Sequence, residues 1–359
     1  MVEKEALIVL TSYVPFGPAR INLLISYFGS ANKVWSAKVD ELAKLGLGED
    51  RLSGFLNHRK TFNLAGYLKI LEKKKIKVVS KNEDTYPEEL GQIDFAPILL
   101  YFKGTLKKSE TRIGIVGSRK MTSYGREVAG RFASELATFG ICIVSGLARG
   151  IDTCAHKATL DAGGRTIAVL GCGLDTVYPS ENIQLAENIV NKGGALISEY
   201  PLGYPVLRIN FASRNRIISG LSKAILVIEG THNSGTLLTA SHAAEQGRSV
   251  FAVPGPITSP NSEAPLYLLK NGAKMATHPR DIFEELGLEF KVDREKMGAL
   301  LPSSTDEEKL LEILTLEPLH LDDIVRISTL DAGSVSARLT IMEIKGLVKN
   351  LGEGVYRKL

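Results

Sequence analysis

Cysteine is almost missing from this 359-residue chain, and the three present, Cys142, Cys154 and Cys172, form neither an even set nor a C-x-x-C pair. That argues against a disulfide framework or a zinc knuckle and fits reduced thiols in a cytoplasmic protein. No apolar run reaches the roughly 18 residues a membrane helix needs, and Met1 to Pro18 shows no cleavage-like site, so no membrane role is expected. An excess of one charge is missing too. The net charge of +4 excludes a histone-like coat for nucleic acid, while leaving room for a local basic cleft. Two phosphate signatures are also lacking. Gly117 is followed by Ser118-Arg119 with the next glycine at Gly125, so no G-x-G-x-x-G fingerprint exists, and Ser145-Gly146 stand where a ribose-binding acid would be expected. With no Walker A loop either, neither NAD nor ATP chemistry is expected, and no cofactor or metal is implied.

What the chain does have is glycine, 34 residues of it, within an otherwise ordinary composition that is 44% hydrophobic. The length suits two or three domains. Lysine and arginine exceed acids mainly in the first third: residues 1–109 sum to +5, 110–290 to +1 and 291–359 to −2. Residues 6–70 carry helical periodicity broken at Gly17-Pro18 and at Leu45-Gly46-Leu47-Gly48. This segment resembles a helix-hairpin-helix or SAM-like module, and a small bundle used for packing or partner contact fits the pattern equally.

From residue 96 the pattern changes. Short apolar runs, Ile98–Phe102, Ile113–Val116, Ile141–Val144, Thr166–Leu170, Ala195–Ser198, Ala224–Ile228, Ser249–Val253 and Ala273–Ala276, alternate with helical stretches, among them one over Asn215–Ser222. Strands that are apolar throughout predict a mostly parallel sheet covered on both faces, a doubly wound Rossmann-like α/β core. After a polar break come three amphipathic stretches and a glycine-containing pair of short strands, the pattern of a winged helix. The expected division is a helical domain at 1–78, the core at 79–288, a linker at 289–304 and the winged helix at 305–359.

In an open parallel sheet ligands bind beyond the carboxyl ends of the strands. The residues following those strands are Gly117-Ser118-Arg119, Ser145-Gly146 through Asp152, Gly171-Cys172-Gly173, and Ser234-Gly235-Thr236. Glycine admits backbone amides to an anion, hydroxyls donate, and arginine offers a charged fork, so this edge should hold phosphate. A denser cluster, Arg208, Asn210, Phe211, Arg214 and Arg216, precedes an apolar helix. Arginines interleaved with an aromatic suit a single nucleic-acid strand, although Phe211 could instead pack in the core and Arg214 and Arg216 could be ion-paired at a helix start. His156 lacks a neighbouring nucleophile and should make a structural hydrogen bond.

These turns, together with Ala155-His156, Tyr178-Pro179, Ser198-Glu199-Tyr200, Phe211–Ile218 and Thr239-Ala240, resemble the DprA/Smf family of DNA-processing proteins over about residues 80–285. The resemblance implies a homodimeric single-stranded DNA binder, without hydrolytic activity, that protects incoming DNA in natural transformation and helps load RecA recombinase. By motif, Arg119 and Arg208 become the leading phosphate contacts, and Gly117, Ser118, Ser145, Gly146, Asn210, Phe211, Arg214, Arg216 and the Ser234-Gly235-Thr236 turn become further members of the same site. Some family members carry a lysine after the Tyr-Pro pair, where Ser180 stands here.

A second likeness, to LOG-type nucleotide phosphoribohydrolases, rests on the glycine-rich edge alone. Such an enzyme needs a glutamate beside its phosphate loop, and Glu245 lies nine residues beyond Thr236. A duplex regulator acting through the winged helix is a third alternative, weakened by the zero net charge of its recognition stretch, Asp331–Gly346.

Overall fold

A computed structural model describes residues 1–232, 234–288, 305–315, 317–344, 347–352 and 354–359. The chain forms two compact units, residues 1–290 and 291–359. The linker expected at 289–304 lies outside the described residues.

The first unit opens with six helices, α1 (Glu3–Ser12), α2 (Gly17–Phe28), α3 (Ala31–Ser36), α4 (Val39–Ala43), α5 (Glu49–Thr61) and α6 (Leu64–Lys73). Their apolar faces meet around Phe16, Leu24, Leu42 and Phe55, all essentially fully buried. The chain continues through β1 (Ile76–Ser80), α7 (Glu88–Gly91), β2 (Leu99–Gly104), β3 (Arg112–Val116), α8 (Ser123–Thr138), β4 (Cys142–Ser145), α9 (Ile151–Asp161), β5 (Thr166–Val169), α10 (Ile183–Asn191) and β6 (Ala195–Ser198). It ends with α11 (Arg208–Leu221), β7 (Ala224–Val227), α12 (Gly235–Glu245), β8 (Ser249–Ala252), α13 (Glu263–Lys270), β9 (Lys274–Met275) and α14 (Pro279–Glu285).

The nine strands join in the order β1-β2-β6-β5-β4-β3-β7-β8-β9. From β6 to β9 every pairing is parallel, whereas β1 and β2 run antiparallel at one edge. Strand alternation sends Ile113 and Ile115 toward α8 and α9, and Val116, Val144 and Val227 toward α11 and α12. This is the doubly wound Rossmann-like sheet the alternation predicted. Strand β1 was not anticipated, and it spans residue 78, where the helical domain was expected to end. Its side chains explain the miss: Lys77 interrupts the apolar run, because an edge strand does not need to be apolar throughout. Leu99 and Tyr101 of β2 share a core with the first helices, so the helical segment and the sheet pack as one body.

The second unit contains α15 (Thr305–Ile313), β10 (Leu319–His320), α16 (Leu321–Ser328), α17 (Ala332–Ile344), β11 (Val348–Gly352) and β12 (Val355–Lys358). The three strands form an antiparallel sheet in the order β10-β12-β11 against the helices, a winged helix with its own core of Leu310, Ile324, Val335, Leu339, Met342 and Val348.

Candidate nucleic-acid interface

A small cavity opens at the carboxyl edge of the parallel strands, between the turns after β3 and β4, the segment after β5, and the start of α11. It is lined by Arg119, Arg149, Tyr178, Phe211 and Arg214, with Gly146, Ala148 and Pro179 between them. The Arg119 guanidinium lies over the Phe211 ring at 5.5 Å, and the Tyr178 ring stands 5.4 Å from Phe211 at a tilt of 32°. Phe211 is half-buried, with Tyr178 and Arg119 exposed around it. Phe211 is thus anchored on one side and borders the opening on the other.

Arg208 begins α11 and Phe211 follows three positions later, so the two share a helix face. Arg208 is exposed and does not itself line the cavity. The helix starts seven residues earlier than the apolar pattern predicted. Its first two turns carry Asn210 and Arg214, buried polar residues turned to neighbouring loops, so apolar periodicity emerges only from Ile217.

Arg214 forms the floor. It is 4% exposed and donates from Nη1 to the carbonyls of Gly146, at 2.6 Å, and Val169. Burial lowers its pKa to about 10, opposed chiefly by the Asp152 carboxylate. Gly146 is required by this arrangement, because a Cβ there would run into the guanidinium. Asp152, buried below, accepts from the amides of Gly146 at 3.1 Å and Ala148 at 3.3 Å. Burial pushes its carboxyl pKa up, against the pull of Arg214.

That network corrects one expectation. The amides of the turn after β4 were expected to face an anion, and instead they are spent on an internal carboxylate. The hydroxyls are engaged as well: Ser145 donates to the Ile115 carbonyl at 2.6 Å, and Ser118 accepts from the Lys120 amide at 3.1 Å. Asn210 donates to the Gly171 carbonyl at 2.9 Å, and Gly117 packs against Ile151. Gly117, Ser118, Ser145 and Asn210 thus shape the turns behind the opening. Arg216 is elsewhere, donating to Glu199 at 2.5 Å with both side chains largely covered, the ion-paired alternative. Ser234, Gly235 and Thr236 start α12 and touch Gly230 and Asn215 without lining the cavity. Glu245 ends the same helix, bonded to Ser241.

Four lining residues, Ala148, Arg149, Tyr178 and Pro179, went unnamed as site members in the sequence reading, and two of them carry polar side chains to the opening. Arg149 and Tyr178 belong to turns that had been quoted, but only the folded chain shows which side chains face the opening. Gly150 brings Arg149 there: with φ +76 it lets the turn touch the carbonyls of Ser118 and Arg119, and the Ile151 amide donates to the Ser118 carbonyl at 3.1 Å.

A family model described as DNA recombination-mediator protein A matches residues 77–287, which include the whole cavity, and a DprA winged helix model matches 294–354. The chain belongs to the DprA/Smf family. Protein Smf of Escherichia coli strain K12 is 40% identical over 294 residues, covering 80% of this chain and 79% of that protein. DprA-family likeness extends to the first helices, since protein Smf of Synechocystis is 34% identical across 92% of this chain and 93% of its own length. Among solved structures, DprA from Streptococcus pneumoniae superposes with a TM-score of 0.68 at 34% identity, covering 79% of this chain and 98% of that one. DprA from Helicobacter pylori, solved for its single-stranded DNA binding mode, gives a TM-score of 0.54 at 26% identity, covering 60% and 97%.

Proposed function

We propose that this DprA-family protein binds single-stranded DNA in the cavity at the carboxyl edge of its sheet, with no chemical step and no cofactor. The observation that carries the reading is the exposed Arg119 over the half-buried Phe211, backed by Tyr178. A guanidinium beside an accessible aromatic face meets the two chemistries a flexible strand presents together, phosphate and base. Arg208, one turn from Phe211, adds a second cation on the same helix face. The Helicobacter pylori relative, whose structure concerns single-stranded DNA binding, supports the choice of ligand.

The wider role follows the family: a cytoplasmic homodimer that protects incoming DNA during transformation and helps load RecA onto it. The recombination-mediator description supports this extension. The test is a binding series with oligo-dT, an equal-length duplex and AMP. Oligo-dT should bind more tightly than duplex, and the Arg119→Ala/Arg208→Ala double variant should lose most affinity while melting as wild type does. With Arg214 buried and Arg216 paired, only two or three arginines remain to neutralise phosphates, so log affinity should fall against log salt with a slope of roughly −2. Wild-type affinity in the double variant, or adenine released from AMP, would overturn the reading.

A further inference from the structure

The turn after β4 holds Arg149 beside Arg119, and the helical turn after Tyr178-Pro179 holds Glu181 across from it. Arg149 Nε donates to Glu181 Oε1 at 2.5 Å and Arg149 Nη2 to Oε2 at 2.7 Å, a bidentate pair. Both side chains are open to solvent, 62% and 50% exposed. Arg149 is a member of the cavity wall and Glu181 is not. A guanidinium fork fits a carboxylate and a phosphate in the same way, so whichever anion stands in front of Arg149 occupies the same donors.

We infer that Glu181 is a built-in competitor for the phosphodiester: Arg149 is a third backbone contact of the single strand, and it must leave the Glu181 carboxylate to make that contact. This rests on the single-stranded DNA reading of the cavity and adds to it a residue pair that sets affinity. Three features make the exchange feasible. The pair is exposed, so releasing it costs little. Gly150 and the Ile151 amide bond to Ser118 fix the backbone under Arg149, so its side chain swings without moving the turn. The buried Arg214 beneath the cavity already has both of its main-chain acceptors and is unable to move out to take the phosphate in its place. The consequence is a site held below its full strength, in which an incoming strand displaces an internal anion.

A double-mutant cycle on the full-length protein with oligo-dT tests this. Glu181→Gln should tighten binding by about two- to five-fold, the range expected for freeing an exposed ion pair. Arg149→Ala should weaken binding and make the salt slope shallower by about 0.7, one phosphate fewer. The double variant should bind as Arg149→Ala alone does, because Glu181 acts only through Arg149. Weaker binding by Glu181→Gln, or wild-type affinity and slope in Arg149→Ala, overturns the inference while leaving the cavity reading intact, provided Arg119→Ala binds poorly in the same series. If Arg119→Ala binds as wild type, the cavity reading fails and this inference fails with it.

Discussion

His156 shows how one buried side chain couples the stability of the fold to pH. It is fully buried on α9, and its Nδ1 lies 2.7 Å from Thr166 Oγ1, the structural bond anticipated for it. Burial, helped by the nearby Arg214 charge, lowers its pKa to about 3. An unfolded histidine titrates near 6.5, so between pH 6.5 and 3 the unfolded chain holds a proton that the native chain does not. His156 therefore subtracts stability as pH falls through that window, by up to about 1.4 kcal/mol per pH unit, and contributes no pH dependence above it. Urea midpoints measured from pH 7 to 4 for wild type and His156→Gln should show a shallower acid limb in the variant. Parallel curves would refute the assignment. The slope is the readout, since loss of the Thr166 bond lowers the level at every pH. At this scale the sequence was informative about residue type and silent about direction: the arginines were visible, but Arg119 faces the opening, Arg214 lies under it and Arg216 pairs with Glu199.

Elements at the opposite edge of the sheet are joined by charge. Arg112, the first residue of β3, is fully buried, and its guanidinium pairs with Glu89 of α7 at 3.1 Å and Glu110 at 3.2 Å. Arg165, just before β5, reaches the same Glu110 at 2.8 Å and donates to the Thr105 carbonyl at 2.7 Å. Arginine and its neighbours lower the Glu110 pKa against the effect of burial. Removing one partner of a buried pair leaves carboxylates uncompensated, so Arg112→Met should cost about 3–5 kcal/mol in urea unfolding. A loss under 1 kcal/mol would show that the network is solvated in solution. Nothing in the one-dimensional pattern marked Arg112, which reads as a charge at the start of a strand. The same elements show what was legible. Apolar runs located the parallel strands β3 to β8, because buried parallel strands are apolar on both faces. The edge strand β1 escaped because the exposed Lys77 breaks its apolar run, and the polar start of α11 because Asn210 and Arg214 are buried on hydrogen bonds to neighbouring backbone.

On the scale of the whole molecule, the two units have separate cores. Leu339 is fully buried within the winged helix core, in the cluster formed with Leu310, Ile324, Val335, Met342 and Val348. Leu339→Ala should destabilise that unit by about 2–4 kcal/mol, the usual cost of truncating a buried leucine. Hydrogen exchange should then lose protection within residues 305–359 and keep it across β3 to β8, with oligo-dT affinity unchanged. A parallel loss of protection in the sheet would show that the units fold as one. The near-zero charge of the core takes on a meaning here as well. With a net +1 over residues 110–290, the proposed binding would depend on where a few arginines stand, and three of those beyond the cavity, Arg112, Arg165 and Arg216, are paired with glutamates.

By itself the sequence determined the doubly wound sheet and the winged helix, because alternation and burial on two faces are periodic properties of a chain, and it pointed to the sheet edge at which the candidate site lies. It also singled out several of the turns that border the candidate cavity. Only the tertiary structure decided what each residue in those turns does. The glycines that suggested amides open to phosphate serve mostly to let packed groups approach, as Gly146 does over Arg214, and the hydroxyls close onto neighbouring backbone. Which polar group faces water and which faces a buried partner depends on contacts between turns separated by tens of residues, and no local spacing encodes that.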